Sequence, residues 1–211
     1  MRNDELYIAG WKTAADWVTF RDTLVVSGDA EPWRSALAQY FRPRLDLRYL
    51  NPIKLLQEHG TFQGEGFSIL AIQCTLIEFL EATAQGINYR FLRRNETPGP
   101  YEYASSSDVF VSFLCKRHPF ATHFDKVTAR DFYVSIRCGL LHEARTKNGW
   151  RVWARSPDGA VISRERRLVF RDNFQEALAE FIRWYEGALP ADPGLQRHSS
   201  ESSTACARHD A

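Results

Sequence analysis

Residues 67–84 read FSILAIQCTLIEFLEATA, and they are apolar on almost every side of a helix. A helix on the surface of a domain shows an apolar stripe on one face only, so a helix that is apolar all round is expected in the middle of a domain. This segment therefore predicts a mainly helical protein that is built around one central helix.

Helical spacing of apolar residues predicts further helices on both sides of the central one. We expect a break at Pro43, because proline lacks an N–H group and its ring clashes with the preceding turn. Asn51 before Pro52 is the expected N-cap of the next helix, and Asp125 is that of a long later helix. The predicted helices cover residues 11–26, 33–41, a short stretch after Pro52, 109–115, 126–146 and 172–188.

The apolar period changes after Asn148-Gly149, which is the expected end of the helix over 126–146. The runs WRVWA (150–154), AVISR (160–164) and RLVF (167–170) predict a small β-hairpin or meander. The segment after Pro190 has no periodicity and is expected to be disordered. The predicted organisation is an N-terminal helical segment (1–60), a helical core (61–148), a β-hairpin with a last helix in the same domain (149–189) and a tail (190–211).

The cysteines and the N-terminus indicate the cellular compartment. Cys74, Cys115, Cys138 and Cys206 are widely spaced, which favours reduced thiols over a disulfide framework. The N-terminal residues mix both signs of charge, and no apolar run approaches the roughly 18 to 20 residues that span a bilayer. We expect a soluble, cytoplasmic protein with no membrane partner.

The formal net charge of +1 hides an uneven distribution. Residues 116–171 contain thirteen Lys/Arg and five Asp/Glu, which is a local net charge of +8. Such asymmetry favours a polyanionic partner near the basic part, and RNA is the candidate. A basic surface that faces only solvent is the alternative.

Residues 131–150, DFYVSIRCGLLHEARTKNGW, contain the candidate catalytic pair, Arg137 and His142. On an ideal helix two residues five apart project about 140° from each other, so one helix does not bring this pair together. Two copies of the helix around a two-fold axis would place Arg137 of one chain beside His142 of the other. Cys138 and Gly139 are small and would let two backbones approach. Histidine exchanges protons near neutral pH, and arginine binds phosphate with a planar set of donors.

Other residues of the same helix have separate expected roles. Phe132, Ile136 and Leu140 recur at helical spacing and are expected to face the core. Arg130 lies seven residues before Arg137 and shares a face with it.

The spacing Arg137-CGLL-His142 late in a long helix, within an all-helical core, resembles the HEPN superfamily (higher eukaryotes and prokaryotes nucleotide-binding). This likeness covers residues 60–146. The wider phrase FYVSIRCGLLHEARTKNGW, with NPIKLL (51–56) and CTLIEFLE (74–81) before it, is similar to a group of bacterial HEPN-like proteins over most of the chain before the tail.

The resemblance implies a bundle of about four or five helices that dimerises with the motif at the subunit interface. Many members are metal-independent endoribonucleases of toxin–antitoxin or phage-defence systems, whose activity a partner protein can restrain. Carried over, Arg137 would be the phosphate and transition-state ligand and His142 the general acid or base, without a cofactor. The family often has a polar residue after the arginine, where this chain has Cys138. The alternative is therefore an inactive nucleotide- or RNA-binding or interaction module.

Further side chains are candidates for supporting roles. Glu78 lies within the apolar central helix, where a carboxylate is expected to be paired, and its candidate partners are Arg137 and Arg130. The alternative is that Glu78 lies on a solvated edge together with Glu81. Tyr133 and Trp150 are candidates for stacking on RNA bases, with packing in the protein as the alternative.

Basic residues after the motif are candidate RNA ligands. Arg145, Lys147 and Arg151 lie in the basic part of the chain and could follow a phosphate backbone. A zinc site at Cys115, His118, His123 and Asp125 is less favoured, because structural zinc sites usually use tighter pairs of ligands. No metal is expected.

Overall fold

The computed structural model describes residues 6–61 and 63–200, and it is mainly helical. The described residues form two compact units. Unit 1 comprises residues 6–52, 82–104 and 184–200, and unit 2 comprises residues 53–61, 63–81 and 105–183. The units interleave along the chain because two helices, α5 (Glu65–Gln85) and α9 (Arg171–Ala188), each continue from unit 2 into unit 1.

Unit 1 consists of short strands, helices and two π-helical turns in addition to the ends of α5 and α9. Trp33 lies in the core of this unit and is fully buried. Its indole Nε1 donates to the Val25 carbonyl at 3.1 Å. Its elements are β1 (Tyr7–Ala9), β2 (Lys12–Thr13), α1 (Ala14–Arg21), α2 (Ala30–Ala36), π1 (Leu37–Phe41), α3 (Arg42–Leu45), π2 (Asp46–Leu50), the start of α4 (Asn51–His59), β3 (Asn88–Tyr89) and β4 (Glu102–Tyr103).

The first helix is shorter than the predicted 11–26. Gly10 has a φ of +57° and turns the chain between β1 and β2, so residues 11–13 belong to a hairpin. Thr13 then caps α1, since its side chain accepts from the Asp16 N–H at 3.1 Å and Asp16 accepts from the Thr13 N–H at 2.8 Å. This reciprocal capping fixes where the helix begins.

The predicted break at Pro43 and the predicted N-cap at Asn51 are wrong. The chain is helical throughout residues 30–59, and π1 and π2 each end two residues before a proline, Pro43 and Pro52. In a π-turn the N–H group bonds five residues back, as Asn51 N–H does to Asp46. This wider turn moves the carbonyl that the proline ring would otherwise meet, so the helix continues past both prolines.

Part of the predicted disordered tail is ordered. Residues 193–200 are helical, and Leu195 and Gln196 are buried. The Gln196 side chain donates to the carbonyl of Leu189 at 3.2 Å and accepts from the Ser27 N–H at 2.8 Å. These bonds hold the segment within unit 1 despite its polar composition. Residues 201–211 lie outside the described part of the chain.

Unit 2 contains most of α5, the predicted central helix, and most of α9, the predicted last helix. Both predictions are confirmed to within two residues at each end. The predicted helix over 109–115 is also present, as part of α6. The further elements of unit 2 are the rest of α4, α6 (Ser106–Lys116), a 3-10 turn (Phe120–Thr122), α7 (Lys126–Phe132), π3 (Tyr133–Cys138), α8 (Gly139–Glu143), β5 (Arg151–Trp153), β6 (Ile162–Ser163) and β7 (Leu168–Phe170).

The core of unit 2 is a set of phenylalanine rings contributed by α6, α7 and α9. Phe113 meets Phe181 with ring centroids 4.8 Å apart, and Phe132 stacks on Phe174 at 5.7 Å. All four are at most 1% exposed. Large buried aromatic side chains dominate core energetics, so this set fixes how the helices of unit 2 pack.

The small sheet of unit 2 has the order β5-β7-β6. The predicted hairpin is present as the antiparallel pair β6–β7, but β5 pairs with β7 in parallel, so a meander is excluded. Leu168, Val169 and Phe170 are all buried, which means that both faces of β7 are covered. A strand without a polar face is suited to the central position, whereas the half-exposed β5 lies at an edge.

Judged by its length and composition alone, helix α5 could cross a bilayer. This is contrary to the expectation that no apolar run approaches the length of a membrane span. Half of its most apolar window is buried within the protein. Cys74 on α5, Cys115 and Cys138 are free thiols, as expected, and Cys206 lies outside the described residues.

Candidate functional site

Arg137 and His142 lie on one helical run, residues 126–143, which consists of α7, π3 and α8. We call this run the motif helix. Asp125 caps it as predicted, because its Oδ1 accepts from the Thr128 N–H at 2.8 Å. The predicted core stripe of Phe132, Ile136 and Leu140 is buried. The positions of these residues follow from ordinary capping and amphipathic packing.

Arg137 is held by an ion pair to Glu78 of α5. Its Nε and Nη2 atoms both lie 2.9 Å from Glu78 Oε1, and the two side chains are 16% and 15% exposed. Burial disfavours the charge on Arg137, but the adjacent Glu78 carboxylate outweighs it, and the pKa of Arg137 is raised above its ordinary value. The predicted pairing of Glu78 is thus made with Arg137; Arg130, the other candidate, is exposed.

Tyr133 packs beside this ion pair. The Arg137 guanidinium lies 5.4 Å from the centroid of the Tyr133 ring, and Phe110 meets the same ring edge-on at 5.4 Å. Burial raises the pKa of Tyr133, although the Arg137 charge works in the opposite direction. Protein groups thus contact this half-buried ring, and its stacking on RNA bases stays a prediction.

His142 lies in the last turn of the motif helix, and it is exposed. Within residues 6–61 and 63–200, its imidazole has no hydrogen bond or ion pair, and none joins it to Arg137. One chain therefore does not bring the two motif residues together, in agreement with their expected separation on a helix.

The motif helix ends at Glu143, three residues before the predicted end. Ala144 adopts a left-handed conformation with a φ of +52°, and its N–H bonds to the Gly139 carbonyl. A Cβ on Gly139 would lie 2.5 Å from the carbonyl oxygen of Arg145. The glycine is therefore required by the chain's own fold, and the small size of this residue is not evidence for a close approach of two subunits.

The loop after the motif helix returns along it and takes part in a partly buried polar network. Lys147 N–H donates to the Ser135 carbonyl at 2.9 Å, and the Asn148 side chain donates to Ser135 Oγ at 2.8 Å. Asp131 accepts from Ser135 Oγ at 2.7 Å and from Trp150 Nε1 at 2.9 Å. This network was not predicted from the sequence, although Asp131 and Ser135 are four residues apart on a helix.

Asp131 remains ionised in this network. Burial raises its pKa, but the hydrogen bonds from Trp150 and Ser135 and the charge of Arg167 have a larger combined effect, and the pKa is lowered. Trp150 is 3% exposed, so the suggestion that it stacks on RNA bases is wrong. Its ring packs against Phe132 at 5.5 Å instead.

The three predicted phosphate ligands differ in the contacts that they already make within the protein. Arg145 and Lys147 both pair with Glu143, with Arg145 Nη2 at 2.8 Å from its carboxylate. The side chain of Arg145 is 70% exposed and that of Lys147 is 28% exposed. Arg151 is exposed, and its Nη2 lies 3.4 Å from the Arg166 carbonyl.

One face of the motif helix carries a row of three exposed apolar side chains. Val127, Val134 and Leu141, spaced seven residues apart, are 79%, 45% and 41% exposed. An open groove of about 530 Å³ lies along the first part of this face, and it is lined by Lys126, Val127, Arg130, Asp131 and Val134. Exposed apolar side chains in a row are typical of surfaces that bind another molecule.

Glu81 is an acid for which a solvated edge was one of the expected positions. It is fully buried. Its Oε2 accepts from Arg117 Nε at 2.7 Å and its Oε1 from Ser112 Oγ at 2.8 Å. A buried charge needs such partners, and this pair joins α5 to the end of α6.

The residues of the disfavoured zinc site are engaged in other contacts. His118 lies 3.2 Å from Glu180, Asp125 caps the motif helix, and the His123 carbonyl accepts from Arg164. Among the described residues, no group of three or more His, Cys, Asp and Glu side chains is placed to hold a metal ion.

A scan against protein-family models and searches of curated proteins and of solved structures found no match for this chain.

Proposed function

We propose that the protein is a HEPN-like, metal-independent endoribonuclease that acts as a homodimer in the cytoplasm, within a toxin–antitoxin or phage-defence system. The observation that carries the proposal is the exposed apolar row of Val127, Val134 and Leu141 on the helix that also bears Arg137 and His142. A second copy of that helix would cover the row and bring the two motif residues toward each other.

The state of Arg137 supports a role in binding phosphate. Glu78 Oε1 accepts from its Nε and Nη2, while no hydrogen bond of Nη1 is found within the described residues. The guanidinium is thus oriented from α5 and keeps one donor group for a ligand. Donors fixed before the reaction stabilise transition-state charge without reorganising.

The exposure of His142 supports a role in proton transfer. In the proposed reaction its imidazole takes the proton of a ribose 2′-hydroxyl, whose oxygen attacks the adjacent phosphorus. The bond from phosphorus to the 5′-oxygen breaks, and the imidazolium so formed gives its proton to that oxygen as it leaves. Arg137 stabilises the charge on the phosphoryl oxygens. The products are a 2′,3′-cyclic phosphate and a 5′-hydroxyl, and the RNA itself supplies the nucleophile.

The exposed basic residues would bind the RNA backbone. Arg130, Arg145 and Arg151 are exposed and belong to the part of the chain with a net charge of +8. Lys147 is half-buried against Glu143 and would contribute less. Contacts of this kind depend strongly on salt concentration.

The test is cleavage of RNA by the purified protein in EDTA, with analysis of the product ends. Cleavage should be abolished by Arg137→Ala and by His142→Ala, and it should survive His59→Ala, which removes another exposed histidine of unit 2. Products with cyclic phosphate ends support the mechanism. Cleavage that persists in His142→Ala would refute the role of this residue.

An inactive RNA-binding or interaction module is the second candidate, and one observation favours it. Arg137 is only 16% exposed and shares two donor groups with Glu78, which is also what a purely structural ion pair looks like. RNA binding without cleavage would select this candidate.

A further inference from the structure

The segment 86–104 of unit 1 contains a second surface whose chemistry fits a nucleic acid. Its ends are held by β3 and β4, which pair in parallel, and Tyr89 meets Tyr103 edge-on with ring centroids 5.6 Å apart. The Arg90 N–H donates to the Tyr103 carbonyl at 2.8 Å. The loop is therefore closed and internally bonded, in the manner of loops that often carry function.

Both carboxylates of this loop are bound to groups within it. Glu102 Oε2 accepts from Arg90 Nη1 at 2.9 Å and from the Gly99 N–H at 2.9 Å. Glu96 Oε2 lies 3.6 Å from Arg90 Nη2 and accepts from the Arg93 N–H at 3.2 Å. The hydrogen bond to Glu102 raises the pKa of Arg90. Both carboxylates are thus bound inside the loop, by Arg90 and by two backbone N–H groups.

Two arginines of the loop remain directed to solvent without an acidic partner. Arg93 and Arg94 are exposed, and neither side chain makes an ion pair with any residue in 6–61 or 63–200. Nearby, Phe91 is 77% exposed and Tyr89 is 55% exposed. Exposing a phenyl ring to water to this extent costs free energy, and a ligand that covered the ring would recover it.

We propose that Tyr89, Phe91, Arg93 and Arg94 form a binding site for single-stranded RNA. Aromatic rings stack on unpaired bases, and arginines bind the phosphates between those bases. A purely apolar partner would leave the two guanidinium groups unpaired, and a duplex would offer no base faces for stacking. The combination therefore favours a single strand. This site lies in unit 1 and does not depend on Arg137 or His142.

The experiment is fluorescence anisotropy with the full chain and a labelled single-stranded 2′-O-methyl oligouridine of about 12 nucleotides, within the usual site size for such surfaces. This probe has no free 2′-hydroxyl, so the proposed nuclease does not cleave it during the measurement. Phe91→Ala should weaken binding about tenfold, since one stacked base is lost. The matched control is Trp11→Ala, which removes a ring of unit 1 that is 88% exposed. It should leave the affinity unchanged.

The charge is tested by the salt dependence of the same binding. The affinity falls as the salt concentration rises, so the slope of log affinity against log salt concentration is negative. Arg93→Glu should make this slope shallower by about 0.7, which corresponds to the loss of one phosphate contact with a single strand. Arg197→Glu makes the same charge change at another exposed arginine of unit 1, and the slope should stay as in the wild type.

Three results would overturn the proposal: wild-type affinity and slope in both loop variants, equal binding of a duplex of the same length, and no binding of the oligonucleotide at low salt. The last result would assign the surface to a protein partner. His142→Ala separates this proposal from the nuclease, because it should abolish cleavage and retain wild-type affinity for the oligonucleotide.

Discussion

The guanidinium of Arg137 is fixed by Glu78, whose Oε1 atom lies 2.9 Å from both Nε and Nη2. The arginine of the motif is thus positioned by α5, a helix that is distant in sequence. Because both side chains are largely buried, each charge depends on the other, and removing one leaves its partner unpaired where water is scarce.

Arg137→Ala is expected to lower the free energy of unfolding by about 2 kcal/mol. This is below the roughly 3–5 kcal/mol typical of a fully buried pair, because both groups retain some contact with water. The double variant E78L/R137M removes both charges and should recover most of the loss. Urea denaturation of the wild type, the single variants and the double variant measures the coupling.

An exposed ion pair of the same length is the control. Arg155 Nη2 lies 2.8 Å from Glu176, but these side chains are 56% and 59% exposed. Arg155→Ala should cost much less stability than Arg137→Ala, since surface ion pairs contribute little. Equal losses at the two sites, or no coupling between Glu78 and Arg137, would contradict the assigned role of burial.

Gly139→Ala is expected to destabilise the protein by about 2 kcal/mol, in the range for forcing extra atoms into a packed site. The new Cβ would lie 2.5 Å from the Arg145 carbonyl oxygen, which is backbone and cannot simply rotate away. Gly187→Ala in α9 is the matched control, because a Cβ there meets no atom within 4 Å. That change should be neutral or stabilise by about 0.5 kcal/mol. Thermal melts of both variants decide the matter, and similar Tm values would contradict the prediction.

Local signals in the sequence were sufficient for several elements near the candidate site. The cap at Asp125 and the buried stripe of Phe132, Ile136 and Leu140 depend on neighbours within two turns, so the sequence alone predicts them. The helix around residues 67–84 is equally clear because it is apolar on every side.

Features that depend on distant partners or on unusual turns were not predictable in the same way. The π-turns before Pro43 and Pro52 remove the clash that makes proline a breaker, and no residue type marks such a turn in advance. Whether Glu81 is buried depends on Arg117, which is 36 residues away. Gly139 is required because the chain after the helix returns close to it, and the Arg145 carbonyl oxygen leaves no room for a Cβ.

Asp131→Asn is expected to reduce the loss of stability in acid. The pKa of Asp131 is lowered in the folded protein, so its carboxylate stabilises the fold above its ordinary value of 3.8, and this contribution is lost as the pH falls below that value. The variant should be less stable at pH 7, because it weakens the bonds from Ser135 and Trp150. It should also show a shallower decline in unfolding free energy below about pH 4. An unchanged decline would contradict the role of Asp131.

Mixed dimers test whether the proposed nuclease site is shared between subunits. E78L/R137M provides a chain with His142 but no Arg137, and His142→Ala provides the reverse. Each should be inactive alone. After unfolding and refolding together, half of the dimers are mixed and contain one intact shared site of two, so about a quarter of the wild-type activity should return. A mixture that stays inactive would contradict a shared site.

Val134→Glu is expected to convert the proposed dimer to a monomer without unfolding it. Val134 is 45% exposed and lies between Val127 and Leu141, so a carboxylate there meets solvent in the monomer but would be desolvated in an interface with a second copy. The control is Val25→Glu in unit 1, at a side chain that is 63% exposed and outside the row. Analytical ultracentrifugation gives the solution mass, and circular dichroism checks the fold. If the wild-type protein is monomeric at all concentrations, the proposed shared site does not form. If the Val134→Glu variant remains dimeric, the interface lies on another surface.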